Sequence, residues 1–314
     1  MRAGGAVPSA HMRSLATSAA LAVALAAPAT ACWHSQSSPT MTHLGWVPDS
    51  TSLVVAIDVD QLRRSRWWSS IAEPLVDALV LDAKRRTEMA AQCGLDPLRD
   101  THWVLFVLDA SGTTSRGAVI ANGAWTAAKL ERCARALGGS PEPRPDGLVR
   151  YAPGAFIGWV APDTFAITLD DAGRAFVLEI VEHETHVTDN PAVARQLARV
   201  DGAAAVWIAG SLAQPRSPLR ELGVDAGKRA LGMSASFTVG DAVGGELAVE
   251  LSSAGDAATI AHTWTRSLAP VQKELPFLAA ITITSREALA TVAVHLDAAG
   301  LDTLAKLIAK ETKR

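Results

Sequence analysis

Between Met233 and Val239, apolar and small polar residues alternate without a break: Met233, Ala235, Phe237 and Val239 take one parity, and Ser234, Ser236 and Thr238 the other. Successive side chains of a strand leave opposite faces, so such a segment buries one face and leaves the other polar. An antiparallel sheet tolerates that, whereas a doubly wound parallel sheet is covered on both sides. Further strands are predicted at Leu53 to Val59, Trp103 to Leu108, Gly117 to Ala121, Ala155 to Val160, Thr164 to Leu169 and Glu246 to Leu251. Helices are expected from a capping box at Ser70-Ile71-Ala72-Glu73 to near Gly94, from Ala124 to Leu137 with Gly138-Gly139 as its stop, from near Asp171, and from Ala254 to Leu268.

The order of these elements recurs. Leu222-Gly223-Val224-Asp225 matches Cys93-Gly94-Leu95-Asp96, and Leu296-Asp297-Ala298-Ala299-Gly300 matches Leu169-Asp170-Asp171-Ala172-Gly173. Gly94 to Gly173 is 79 residues and Gly223 to Gly300 is 77. We read this as an internal duplication; chance matching in an Ala-rich chain is the competing explanation. The expected fold class is α+β: two related units, each a mainly antiparallel sheet with helices on one face, the two sheets able to pair edge to edge and so bury two exposed edges. The units are assigned to residues 51–199 and 200–314.

The N-terminus carries a different signal. Leu15 to Ala27 is apolar and uncharged, follows Arg2 and Arg13 with no acidic residue, and precedes Ala29-Thr30-Ala31-Cys32. That is the layout of a secretory signal over residues 1–31. Its apolar run of about 13 residues is too short to span a bilayer, which takes about 20. Met12 opens a compact alternative start. Small residues before Cys32 resemble the lipobox of bacterial lipoproteins, in which the cysteine is lipidated; Ala29 stands where that pattern usually has Leu, so cleavage after Ala31 without a lipid is the alternative. Residues 32–50 are assigned to a tether, its Trp33 to Met41 portion rich in Ser, His, Gln and Thr. The expected location is exported and membrane-anchored, facing periplasm or cell surface, with a soluble periplasmic or secreted protein as the alternative.

Composition narrows the function. The net charge of −3 falls to −5 once Arg2 and Arg13 leave with the signal, and charges of both signs are interspersed, so there is no nucleic-acid footprint. Of three cysteines, Cys93 and Cys133 remain as a pair in an oxidising compartment. A disulfide is the economical reading, and two separate buried thiols the other.

No catalytic motif keeps its spacing. Glu182-His183-Glu184-Thr185-His186 has its second histidine one residue early for a zincin, so His183 and His186 are weak metal candidates beside the simpler reading of a solvated helix end. Gly223 to Arg229 is one residue short of a phosphate loop and has Arg229 where Ser or Thr belongs. Ser211 lacks the glycines of a nucleophile elbow. Asp170 and Asp171 fit caps, and Asp58 and Asp60 stand at a strand end. No cofactor is implied. Nine Trp accompany a single Tyr. Trp103, Trp159 and Trp207 lie in apolar strands and read as core. Arg63, Arg64, Arg66, Trp67 and Trp68 are membrane-surface candidates, against the plainer reading of a basic turn with one buried Trp.

The series of lipobox-like Cys32, Val47-Pro48-Asp49-Ser50 before Val54 to Asp60, Leu62-Arg63-Arg64-Ser65, and Cys93-Gly94-Leu95-Asp96-Pro97 resembles predicted envelope lipoproteins of myxobacterium-like proteobacteria. The resemblance implies no activity and no catalytic residues. The expected function is a non-enzymatic envelope lipoprotein, a binding or assembly module held to the membrane by its lipid, with an envelope protein or peptide as partner. A secreted hydrolase or metal-dependent enzyme, with scattered site residues around His183 and His186, is the alternative.

Overall fold

The computed structural model describes residues 39–74, 83–110, 115–152, 154–168, 170–212 and 229–311. The signal, Cys32, the first part of the tether, Leu169 and the segment 213–228, which holds most of the phosphate-loop look-alike and one repeat anchor, lie outside them.

Among the described residues twelve strands form one sheet in which every pairing is antiparallel. The first half contributes β1 (Leu53–Asp58), β2 (Thr101–Asp109), β3 (Arg116–Gly123), β4 (Glu142–Pro143), β5 (Val149–Ala152), β6 (Ala155–Ala161) and β7 (Thr164–Thr168). The second contributes β8 (Val206–Ser211), β9 (Ala230–Val239), β10 (Val243–Leu251), β11 (Ile281–Arg286) and β12 (Leu289–Leu296). The longer helices are α1 (Val59–Arg64), α2 (Ala83–Cys93), α3 (Ala127–Ala136), α4 (Arg174–Glu182), α5 (Pro191–Leu197), α6 (Ala254–Glu274) and α7 (Ala298–Glu311).

The strand order is β11-β12-β10-β9-β8-β1-β2-β3-β7-β6-β5-β4. From the centre outward, β1-β2-β3-β7-β6 on one side has the same chain order as β8-β9-β10-β12-β11 on the other. The two half-sheets join edge to edge through β1 and β8, with Val54 opposite Ala209 and Ala56 opposite Trp207. Those residues are buried, so the joint is part of the core.

Local chemistry sets the breaks. Asp58 ends β1 and caps α1 by accepting from Gln61 N at 2.8 Å. Thr126, Asn190 and Ser253 cap α3, α5 and α6 in the same way. Gly138 takes φ +84° just past α3, a left-handed turn that favours glycine. The Ser70 capping box does not form: a π-helical turn begins earlier, at Trp68, with Trp67 before it and no side-chain cap. Trp67 and Ile71 are buried, and their burial fixes where the turn starts.

The helix layers extend the one-face arrangement expected for each unit. Phe156 and Ile157 are chain neighbours on opposite faces of β6, and both are buried. One face of the first half packs Phe156, Ile120 and Leu105 under Phe176, Val177 and Ile180 of α4. The other packs Ile157, Phe165 and Ala121 under Cys133 of α3, with Met89 and Cys93 of α2 alongside. A strand run that is apolar on both faces attracts helices to both. In the second half Met233, Ala235 and Phe237 are buried under α6 and α7, while Ser234, Ser236 and Thr238 take the opposite face, on which Ser234 is buried as well. Cys93 and Cys133 form a disulfide that ties α2 to α3.

Candidate functional site

Residues 39–50, assigned from sequence to the tether, are docked against the middle of the sheet. Pro39–Thr42 makes a helical turn in which Thr40 is buried, and Trp207 of β8, itself fully buried, donates its indole N–H to Thr40 Oγ1 at 2.8 Å. A 3-10 turn, Leu44–Trp46, follows, and Leu44 and Val47 enter the same apolar cluster as Trp207, Val54 and Ala56. The segment after α4 holds it from above: Val187 N donates to Val47 O at 2.7 Å, and His186 Nδ1 lies 2.8 Å from Gly45 O. Asn190 donates to the carbonyls of Asp49 and Thr51. Polar composition concealed this docking, because the hydrogen-bond partners that fix it on the sheet lie 129 to 167 residues away in the chain.

An aromatic stack closes the same strap. His43 lies nearly parallel to Trp46, with ring centres 4.5 Å apart, and stacks on buried Trp103 of β2 at 4.8 Å. Burial lowers the His43 pKa below its usual 6.5, and the negative charge of Asp163 opposes that shift. The neutral imidazole is therefore the form that fits the stack.

The other sequence candidates are placed as follows. His183 caps the end of α4 in a left-handed conformation (φ 39°), its Nδ1 2.9 Å from Val181 O, so the helix stops before His186 and the two imidazoles do not share a helical face. Among the described residues no group of three or more His, Cys, Asp or Glu could hold a metal ion. Trp67 is buried, with Arg66 stacked over its ring at 4.3 Å. Arg63 is engaged by Asp60 and by the carbonyls of Arg99 and Thr101. That leaves Arg64 and Arg66 exposed and Trp68 partly so, a smaller surface than the five residues read from sequence. Trp103 and Trp207 are core; Trp159 is partly buried and tilts against Phe165 at 5.6 Å. Ser211 lies in β8, its backbone N–H donating to Ser52 O. Asp170 caps the turn before α4 by accepting from Gly173 N at 2.6 Å. Among the described residues no helix is long and apolar enough to cross a membrane.

Two polar networks were invisible in sequence. Arg116 of β3 binds Asp109 and Glu179, each at 2.6 Å, and Ser50 donates to the other oxygen of Glu179, fastening α4 and the strap to the sheet. Burial weakens the Arg116 charge, but hydrogen bonds from it to Glu179 and Asp109 outweigh that and raise its pKa. On the same face, Glu250 of β10 accepts from Arg199, Arg195 and buried Gln196, linking α5 to the second half. A shallow groove of about 420 Å³ lies between Pro276, Phe277, His295, Asp297 and Thr303.

The fold and these contacts define the class: an α+β protein built on one antiparallel sheet, with its N-terminal strap docked across the central joint. No family model matches the chain, and no curated protein does. A solved structure shares the fold at a TM-score above 0.5. The crystal form III structure of TP0453 is 12% identical, with a TM-score of 0.52, over 83% of this chain and 96% of that one. Crystal form I gives 12% identity, 0.48, and 84% and 96% coverage; form IV gives 12%, 0.47, and 84% and 95%. At this identity the likeness establishes the fold alone.

Proposed function

We propose that the chain is a non-enzymatic envelope lipoprotein, anchored through a lipid on Cys32, whose broad sheet serves as a binding or assembly module. The observation that carries the reading is the disulfide between Cys93 and Cys133, since such bonds persist in the oxidising space outside the cytoplasm, where the N-terminal signal would send the chain. The strap supports the anchor. Six residues lie between Cys32 and Pro39, where the described fold takes hold, so the body would be held within about 25 Å of the lipid even with that link fully extended.

The non-enzymatic part is supported by what the tempting residues do. His183 closes a helix, His186 lies against the strap carbonyl of Gly45, and Asp58 and Asp170 are caps. The kinship to envelope lipoproteins of myxobacterium-like proteobacteria belongs to the same proposal, and rests on the sequence patterns that suggested it. The test is metabolic labelling with a radioactive fatty acid, followed by membrane fractionation of the wild type and a Cys32→Ser variant. The proposal expects label and membrane association in the wild type and loss of both in the variant. An unlabelled wild type in the soluble fraction would reject the anchor, and stoichiometric zinc in purified protein, lost on replacing His183 and His186 by Ala, would favour an enzyme instead.

A further inference from the structure

The two ends of the sheet are finished differently. At one, β4 is two residues long and contains Pro143, which has no N–H to offer a neighbour, a common way of blunting an edge. At the other, β11 runs for six residues, Ile281-Thr282-Ile283-Thr284-Ser285-Arg286, and contains no Pro or Lys. It pairs with β12 on one side, and among the described residues nothing pairs on the other. Thr282, Thr284, Ser285 and Arg286 are exposed, while Ile281 and Ile283 pack in the cluster that holds Leu268 and Val271 of α6 and Leu275 just past its end. An open edge rich in β-branched residues is a template for another strand.

We propose that this edge takes the β11 of a second copy of the chain, antiparallel about a two-fold axis passing between the two Ile283 residues. The strand's own sequence selects that occupant. Directly opposed residues of an antiparallel pair share a face, so this register sets Ile283 against Ile283 on the α6 side and Thr282 against Thr284 on the other, twice over. Ile281 meets Ser285. The strand's single charge, Arg286, falls beyond the paired core opposite Ala280, so no like charges face each other. A two-fold axis perpendicular to the sheet keeps both α6 helices on one face, bringing their half-buried Leu268 and Val271 toward the same seam. The molecule already contains such a joint, between β1 and β8. This inference goes beyond the envelope reading and stands without it, since it makes no use of Cys32.

The test is sedimentation velocity of the mature chain, comparing the wild type with a Thr282→Lys/Thr284→Lys variant, a Thr282→Glu/Thr284→Glu variant, and their equimolar mixture. Both substituted positions are exposed, and circular dichroism checks that each variant folds. The wild type is expected to sediment as two chains. Each variant, placing like charges opposite each other twice, should associate at least tenfold more weakly, and the mixture should regain the two-chain species. A wild type that stays a single chain, a Lys variant that still pairs, or a mixture that does not recover would each overturn the proposal. The first outcome, joined with slow amide exchange along β11, would assign the edge to another segment of the same chain.

Discussion

Cys93 and Cys133 stand 40 residues apart, and their bridge ties α2 to α3. In the chain-entropy account, closing a loop of that length stabilises the folded state by about 4 kcal/mol, through the freedom it removes from the unfolded chain. For a chain of this size each kcal/mol moves the melting temperature by about 2–4 °C, so a Cys93→Ala/Cys133→Ala protein should melt about 8–16 °C below the oxidised wild type. The loss should also have a local component. Of the described α2 side chains, only Met89 and Cys93 join the apolar cluster beneath α3, whereas Cys133 is itself buried there. Without the bridge α2 loses its covalent tie to α3 and keeps the Met89 contact and the Arg86–Glu73 ion pair at 2.7 Å. Thermal unfolding followed by circular dichroism measures the first quantity, and amide exchange along residues 83–93, with β9 as internal reference, measures the second. A drop below about 3 °C, or exchange in α2 no faster than before, would refute this account of the bridge.

Three more outcomes follow from the packing. A Cβ at Gly158 would sit 2.5 Å from Val181 Cγ2 and 2.8 Å from Leu148 Cδ2, so Gly158→Ala should push α4 off β6 and cost about 1–3 kcal/mol in urea unfolding. Trp207→Phe removes the indole N–H that holds Thr40 at 2.8 Å; a loss of about 1–2 kcal/mol is expected, with faster amide exchange over residues 40–47. Burial depresses the His43 pKa, so the unfolded chain binds that proton more readily. Its effect on stability is therefore absent well above pH 6.5 and grows as the pH falls from 6.5 through the folded value, weakening the fold. A His43→Phe variant keeps a ring in the stack and should show a flatter stability profile below pH 6.5; a slope equal to the wild type's would contradict the assignment.

Much of the sheet was legible because its information is local. The parity of Met233 to Val239 states which face is apolar, and β9 has that face against α6 and α7. The helix stop at Gly138 and the helix start at Ala254 were visible for the same reason, since a cap is satisfied within three or four residues, while the cap at Thr126 lies two residues inside the start read at Ala124. What needed distant partners was hidden. Glu142–Pro143 and Val149–Ala152 went unread, because Pro141-Glu142-Pro143-Arg144-Pro145 has the composition of a loop, and only pairing onto β6 makes an edge of it. The strap looked like tether because Ser, Thr and His solvate well, and its partners, Trp207, Val187 and Asn190 among them, stand far away in the chain. For Trp67 and Trp68 the sequence left a surface pair and a basic turn with one buried Trp both open; the first residue belongs to the core beneath α7 and the second begins the π-helical turn.

The central claim, an exported and lipid-anchored protein closed by one internal disulfide, is tested most directly by the intact mass of the mature chain taken from its native envelope, measured with and without reductant before alkylation. The account predicts a polypeptide beginning at Cys32 with acyl groups added, and two thiols that alkylate only after reduction. A mass beginning elsewhere without acyl groups, or Cys93 and Cys133 alkylated without reductant, would contradict it.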